Sequence, residues 1–234
     1  GLNAQGEHST AGTDMWLASG NGVDPVWIQY EFDKVYKLHE MLVWNYNAQF
    51  EVILGFGLKE VAVEYSEDGE NWTALGDVEF AQATASADYT ANTTVDFQGV
   101  PAKLVKLTVS SGYGMMNQYG LSEVRFMYIP AHARLPQPAD DTTDVSVATE
   151  LAWRAGRDAG AHEVHLGTDP DALSLVGSVD QPSYDPGALA LGTTYYWRVN
   201  EVNEAEVVPL WEGDVWHFTT EAFLVVDDFE SYDD

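Results

Sequence analysis

The sequence predicts an all-β protein built from two successive β-sandwich units. Short apolar runs with period-two alternation recur along the 234 residues, and turn-forming residues separate them. In EVAVEYS, for example, Val61, Val63 and Tyr65 fall on one strand face, and Asp68-Gly69 follows as a hairpin turn signal. Helical periodicity is nearly absent. Many short strands with regular turns are typical of sandwiches and barrels.

A seam near residues 130–145 divides the chain. It carries three Pro and three Asp with little apolar content, which is a linker composition. We therefore predict a first domain over residues 1–131 and a second over residues 132–221. Residues 222–234 do not continue the second pattern, and we expect them to begin a further domain that is cut off.

Charge excludes several classes of partner. The chain has 10 Lys and Arg against 38 Asp and Glu, a formal net charge of −28. Such a field repels phosphate backbones, so nucleic acid is not an expected partner. No apolar run approaches the ~20 residues of a membrane span, so membrane insertion is not expected either. The chain has no Cys, so no disulfide stabilises either unit.

Four stretches of the first domain resemble the discoidin or coagulation-factor-type C family. They are TDMWLAS (13–19), WIQYEFDKVYKLHEMLVWN (27–45), VAVEYSEDGENWTAL (61–75) and LVKLTVSSGYGMMNQYGLSEVRFMY (104–128). The family's fold is a β-sandwich jelly roll shared with many galactose-type carbohydrate-binding modules. The resemblance implies that the loops at one end of the sandwich bind a ligand.

The second domain resembles a fibronectin type III module, an immunoglobulin-like sandwich. LGTTYYWRVNEVNEA (191–205) is similar to its strand-F signature, in which Tyr195 would form the tyrosine corner. Trp153, Trp197 and Trp216 read as core. The tail VVDDFESYDD resembles the start of a concanavalin-like domain, often found in large secreted bacterial proteins.

Two loops and one histidine are the candidate ligand contacts. Aromatic faces stack on sugar rings, and amides suit sugar hydroxyls because they both donate and accept. The candidates are Tyr113, Met115, Met116, Asn117, Gln118 and Tyr119 in SSGYGMMNQYG, with Tyr46, Asn47, Gln49, Phe50 and His8. The alternative is that the Tyr and Met side chains fold back to plug the end of the sandwich.

Other apolar side chains near these loops are expected to be buried. Ile53, Leu54 and Phe56 should pack down, because EVILGFG is too apolar for a solvated loop. Trp27 reads as core rather than as a platform. His8 is expected to be exposed and is more often an ordinary surface group than a ligand contact.

The family resemblance also implies a structural calcium ion. It would lie between the first loop and an acid near the last strand, with Glu123, Asp14, Glu7 and Thr10 as ligands. A hard cation needs six to eight oxygens, and this loop is rich in them. The alternative is a loop held by backbone hydrogen bonds alone.

We expect a non-catalytic module that binds a neutral polysaccharide or glycan, followed by a spacer. The resemblance places it, with further domains of the same chain, in a larger protein that is secreted or on the bacterial cell surface. The alternative is a structural or adhesive surface protein with calcium-stabilised β-domains. No catalytic motif supports an enzyme.

Overall fold

The computed structural model describes residues 1–22 and 24–224, and they form two compact units that meet at Ile129 and Pro130. Both units consist of β-strands, so the all-β prediction is confirmed. The tail that resembles a concanavalin-like domain, residues 225–234, lies outside the described residues. Within the described part of the chain, no helix has the length and apolar character needed to cross a membrane.

The first unit is a β-sandwich with one continuous antiparallel ladder in the order β1-β6-β2-β5-β3-β4. Its strands are β1 (Trp16–Ser19), β2 (Trp27–Asn45), β3 (Leu58–Ser66), β4 (Thr73–Glu79), β5 (Thr93–Gly112) and β6 (Gln118–Ile129). A 3-10 turn spans Gly12–Asp14, and a single helical turn, α1, spans Glu51–Leu54.

The two longest strands bend around the core at bulges. Pairing between β2 and β5 shifts register between Glu31 and Tyr36 and again between Leu38 and Glu40. The inward positions of β2 consequently change from even numbers, such as Ile28, to odd numbers, such as Met41. A bulge adds a residue to one strand and increases its bend, which lets one ladder enclose a core.

The second unit has two sheets, in the orders β11-β10-β13-β15-β8 and β12-β9-β7, with β14 paired to β13. Its strands are β7 (Arg134–Gln137), β8 (Thr142–Val145), β9 (Leu151–Arg154), β10 (Ala161–Gly167), β11 (Ser174–Val179), β12 (Ser183–Tyr184), β13 (Thr194–Val202), β14 (Leu210–Trp211) and β15 (Trp216–Thr220).

The fibronectin-like details of this unit are confirmed. Tyr195 accepts a hydrogen bond at its hydroxyl from the Ala190 N–H at 3.0 Å, the geometry of a tyrosine corner. Trp153, Trp197 and Trp216 are buried in one core cluster. This unit carries its own core, as an independent sandwich requires.

Candidate functional site

The two loops singled out in the sequence lie side by side at one end of the first unit. Gly114 N–H donates to the Gly55 carbonyl at 2.6 Å, and Gly120 N–H donates to the Phe56 carbonyl at 2.7 Å. A Cβ on Gly114 would lie 2.2 Å from the Leu54 carbonyl oxygen. Glycine is therefore required for the approach of the second loop to helical turn α1. We call residues 49–57 and 113–118 the loop end.

A buried carboxylate fixes the first of these loops. Glu51 is fully buried, and its two oxygens accept the N–H groups of Phe56 at 3.0 Å and Gly57 at 2.8 Å. Burial raises the pKa of Glu51, and the two N–H bonds oppose that rise. The sequence analysis missed this role, because nothing local marks a Glu that bonds to a backbone five and six residues away.

Asn45 joins three segments beneath the loop end. Its Nδ2 donates to the carbonyls of Leu58 at 2.7 Å and Ala81 at 2.9 Å. Its Oδ1 accepts the N–H groups of Tyr46 and Leu58. All four hydrogen-bonding positions of this buried amide are satisfied, so the loop starts from a rigid base.

Asn47 and His8 belong to the interior, which corrects the expected exposure of His8. Both are fully buried. Asn47 Nδ2 donates to Ser86 O at 2.8 Å and lies 3.1 Å from His8 O and 3.3 Å from Ser9 O. A backbone bond from His8 N–H to Tyr89 O, at 2.7 Å, helps to explain why His8 is buried. Neither side chain offers surface to a ligand in this arrangement.

Three tyrosines in and next to the loop end point inward. Tyr113 donates its hydroxyl to the Phe80 carbonyl at 2.6 Å, and burial raises the pKa of Tyr113. Tyr46 is buried, and Tyr119 packs on the core cluster. A Cβ on Gly120 would lie 2.3 Å from the Tyr46 ring, so that glycine makes room for it. These three rings support the loops from below and do not form an open stacking platform.

The exposed side chains of the loop end are apolar or neutral amides. Met115 is 99% exposed, Ile53 is 82% exposed and Phe50 is 61% exposed. Val52, Met116, Gln49 and Asn117 are exposed beside them in the chain. Ile53 was expected to pack down, which is wrong: helical turn α1 buries Glu51 and directs Val52 and Ile53 to solvent. An exposed apolar patch of this kind usually marks a contact site.

Asn117 and Gln118 connect the second loop to β1. Asn117 has a φ of 48°, in the left-handed region, and its carbonyl accepts the Gly20 N–H at 2.8 Å. Gln118 Nε2 donates to Ser19 Oγ at 2.8 Å. Asn tolerates the left-handed region better than most residues, which explains its place at the turn.

The predicted calcium ligands are not gathered around one point. Glu123 accepts from Arg125 at 3.1 Å, Asp14 accepts from Ser9 at 2.5 Å and Glu7 accepts from Asn3 at 2.6 Å. Thr10 contributes its carbonyl to the Gln49 N–H at 3.4 Å. Among the described residues, no group of three or more His, Asp or Glu side chains could hold a metal ion.

The side-chain amide of Asn47 lies near three backbone carbonyl oxygens of the first unit. The carbonyls of His8, Ser9 and Ser86 surround Asn47 Nδ2, while Asn47 Oδ1 is buried and has no hydrogen-bond partner among the described residues. The donor group already stabilises these carbonyls. These three carbonyls therefore already have a hydrogen-bond donor, and calcium binding by Glu123, Asp14, Glu7 and Thr10 stays a prediction.

Trp27 is an exposed aromatic residue that the sequence analysis assigned to the core. It is 58% exposed on the outer face of β2, opposite Thr108 of β5. Strict alternation with Gln29 and Glu31 already places it on the polar face of the strand. That pattern was the signal that could have identified it.

A family model for the F5/8 type C domain matches residues 3–123, more than half of the chain. The chain belongs to the F5/8 type C domain family. The match ends at Glu123, within β6, so it covers both loops of the loop end. No curated protein sequence matches the chain.

Solved structures similar to this F5/8 type C chain include CBM32 domains and fibronectin type III domains. CBM32-3 from a family 31 glycoside hydrolase of Clostridium perfringens is 22% identical, covers 49% of this chain and 74% of its own, and has a TM-score of 0.40. A GH31 CBM32-2 bound to GalNAc is 15% identical over 54% of this chain and 87% of its own, with a TM-score of 0.36. The sixth fibronectin type III domain of human fibronectin type III domain containing protein 3 is 19% identical over 42% and 92%, with a TM-score of 0.34.

Proposed function

We propose that the first unit is a non-catalytic carbohydrate-binding module and that its loop end binds a neutral glycan. The observation that supports this most is the pairing of two hydrogen-bonded loops that expose Phe50, Met116 and the amides of Gln49 and Asn117 and no charged side chain. Ligand sites are mostly apolar with a few polar groups that fix orientation. Amide groups both donate to and accept from hydroxyls.

The absence of charge at the surface of the loop end argues for a neutral ligand. Of the described residues 49–57 and 113–118, Glu51 is the single charged one, and it is buried. The chain as a whole carries a net charge of −28, which opposes long-range attraction of sulfated or phosphorylated polymers. Neutral hydroxyls and apolar ring faces are the chemistry that remains.

The same exposed side chains argue against catalysis at the loop end. Phe50, Ile53 and Met115 supply neither an acid, a base nor a nucleophile. A glycosidase needs two carboxyls flanking the scissile bond. Glu51 is buried and bonded to two backbone N–H groups, so it does not reach a bound glycan.

The fibronectin-like unit is proposed as a spacer, and the chain as part of a secreted or cell-surface protein with further domains. The support is general: the second unit has its own core, as an independent spacer domain requires. A structural calcium ion stays a separate prediction. The carboxylates of Glu123, Asp14 and Glu7 each accept a hydrogen bond from a different residue. Localisation is tested by fractionation of a cell that makes the full-length protein.

An adhesive protein contact is the second candidate. The aliphatic and thioether side chains of Val52, Ile53 and Met115 are all strongly exposed and carry no group that can hydrogen-bond to a hydroxyl as a donor. Contiguous apolar surface also marks protein–protein sites. The two functions differ in ligand, so one set of variants tests both.

The test is a glycan array with neutral and acidic glycans, followed by isothermal titration calorimetry on the full chain. Phe50→Ala removes the exposed ring of the loop end, and Phe223→Ala removes an 85% exposed ring of the second unit as the matched control. We expect binding to a neutral glycan that Phe50→Ala weakens and Phe223→Ala does not. If Phe50→Ala binds the glycan with unchanged affinity, the binding site lies elsewhere on the chain. If the wild-type chain binds no glycan, the adhesive contact is favoured.

A further inference from the structure

A second concavity lies on the first unit, away from the loop end. Asn45 pairs with Leu121 beside the loops, whereas Leu38 pairs with Tyr128 seven residues further along β6. The concavity opens at this far end of β2 and β6 and has a volume of about 230 Å³. Its lining residues are Phe32, Asp33, Tyr36, Leu38, Phe126 and Tyr128. We call it the aromatic cleft.

The rings of the aromatic cleft meet edge to face. Tyr36 and Tyr128 have centroids 4.8 Å apart at an interplanar angle of 61°. Phe32 lies 5.1 Å from Phe126 at 75° and 6.0 Å from Tyr36 at 89°. An edge-to-face pair leaves ring faces uncovered by the partner ring. Tyr128 is 52% exposed, so the cleft presents aromatic surface to solvent.

The bulge of β2 builds this site. Glu31 and Tyr36 of β2 both pair with residues of β5, but residues 32–35 between them do not. They therefore leave the ladder with β5 where Phe32 and Asp33 line the cleft. Bulges are over-represented where a strand re-aims side chains at functional sites.

Two charged groups of opposite sign stand beside the rings. Asp33 is exposed, and its Oδ1 accepts the Tyr36 hydroxyl at 2.8 Å, which lowers the pKa of Asp33. Lys34 Nζ lies 6.0 Å from the centroid of the Tyr36 ring. The rim thus offers an anionic acceptor and a cationic donor next to apolar ring faces.

This combination selects among ligand chemistries. An ammonium ligand would be attracted to Asp33 but repelled by Lys34, and a phosphate or sulfate would be attracted to Lys34 but repelled by Asp33, so the pair of charges favours neither sign. A purely apolar group would make no use of either charge. A neutral sugar ring uses all three features: its C–H face packs on a ring, and its hydroxyls donate to the carboxylate and accept from the ammonium.

The size of the cleft limits how much of a ligand it holds. Sites for drug-sized ligands have volumes of about 300–1,000 Å³, and the aromatic cleft is smaller. We propose that the aromatic cleft is a second carbohydrate subsite, which binds a single neutral pyranose ring against the exposed surface of Tyr128, beside Tyr36 and Asp33. The residues of the aromatic cleft are different from those of the loop end, so each of the two proposed sites can be tested without the other.

The experiment titrates the full chain with the methyl pyranosides of galactose, N-acetylgalactosamine, glucose and mannose. Fluorotyrosine labelling reports on Tyr36 and Tyr128 by NMR, with Tyr→Phe variants to assign the signals. Tetramethylammonium chloride serves as the cationic probe and sodium sulfate as the anionic one. Phe50→Ala is the matched aromatic variant at the loop end.

We expect one or more pyranosides to shift the Tyr36 and Tyr128 signals in a saturable way. Tyr128→Ala should weaken that binding roughly 2- to 12-fold, as expected for the loss of one aromatic contact. Asp33→Asn, at an exposed position, should weaken it as well without lowering the melting temperature. Phe50→Ala should leave the shifts of these two signals unchanged.

Three results would overturn the proposal. The first is no saturable shift with any pyranoside, and the second is a shift that Phe50→Ala abolishes, which would assign all binding to the loop end. The third is a larger response to tetramethylammonium or sulfate than to sugars. If Tyr128→Ala lowers the melting temperature, Asp33→Asn decides, since Asp33 is exposed and asparagine keeps an oxygen that can accept the Tyr36 hydroxyl.

Discussion

Replacing Asn45 with leucine should unfold the base of the loop end. The substitution keeps the approximate size of the side chain but removes both donors and the acceptor that bond Tyr46, Leu58 and Ala81. Each orphaned buried group costs about 1–3 kcal/mol, and the two N–H groups alone therefore cost about 2–6 kcal/mol. Burial of the leucine returns about 2 kcal/mol. The two unpaired carbonyls cost about 2–6 kcal/mol more, so the sum is a net loss of about 2–10 kcal/mol. We expect about 3–5 kcal/mol, because single substitutions seldom cost more than about 5 kcal/mol.

Urea denaturation of the full chain measures this loss, and hydrogen–deuterium exchange by mass spectrometry locates it. We expect faster exchange in residues 45–58 and no change in the second unit. Gln29→Leu is the matched control, because Gln29 is an exposed amide on the same strand, and its effect should stay within about 0.5 kcal/mol. A loss below about 1 kcal/mol for Asn45→Leu would refute the view that this amide anchors the loops.

Four further predictions concern the loops, the second unit and the metal. Gly114→Ala should separate the two loops and weaken glycan binding, because its Cβ would lie 2.2 Å from Leu54 O; calorimetry with unchanged affinity would contradict this. Tyr113→Phe should cost about 1 kcal/mol of stability by removing the bond to Phe80 O, measured by urea titration. Burial and Arg198 lower the pKa of His165, so the unfolded chain binds the proton more readily; stability should fall as pH falls through the usual His range, and His165→Gln should reduce that fall in thermal melts. If the chain holds the calcium ion that the family resemblance implies, a calcium chelator should lower the melting temperature and added calcium should restore it; a melting temperature that the chelator leaves unchanged would contradict the calcium prediction.

The strands could be predicted from the sequence because alternation is a local property. The faces of EVAVEYS and the tyrosine corner at Tyr195 follow from residue order and a fixed spacing. The position of Trp27 could also have been predicted from the sequence, but the prediction was wrong. Its alternation with Gln29 places it outside, and the general preference of Trp for the interior suggested the opposite.

The loop end could not be predicted in detail because long-range contacts set it. Asn47 bonds to the backbone of Ser86, 39 residues away, and Tyr113 bonds to Phe80, 33 residues away. These contacts turn polar and aromatic side chains inward, which leaves Ile53 and Met115 outside. A single sequence gives the chemistry of a loop but not which of its side chains the neighbouring segments bury.

Calorimetric titration of the full chain with the best neutral glycan from the array tests the central claim most directly. The wild-type chain is compared with Phe50→Ala and with the control Phe223→Ala, after thermal melts have shown that the three proteins have the same melting temperature. We expect saturable binding that Phe50→Ala weakens and Phe223→Ala leaves intact. Equal affinity in all three, or no glycan bound by the wild-type chain, would contradict the assignment of the loop end as a carbohydrate-binding site.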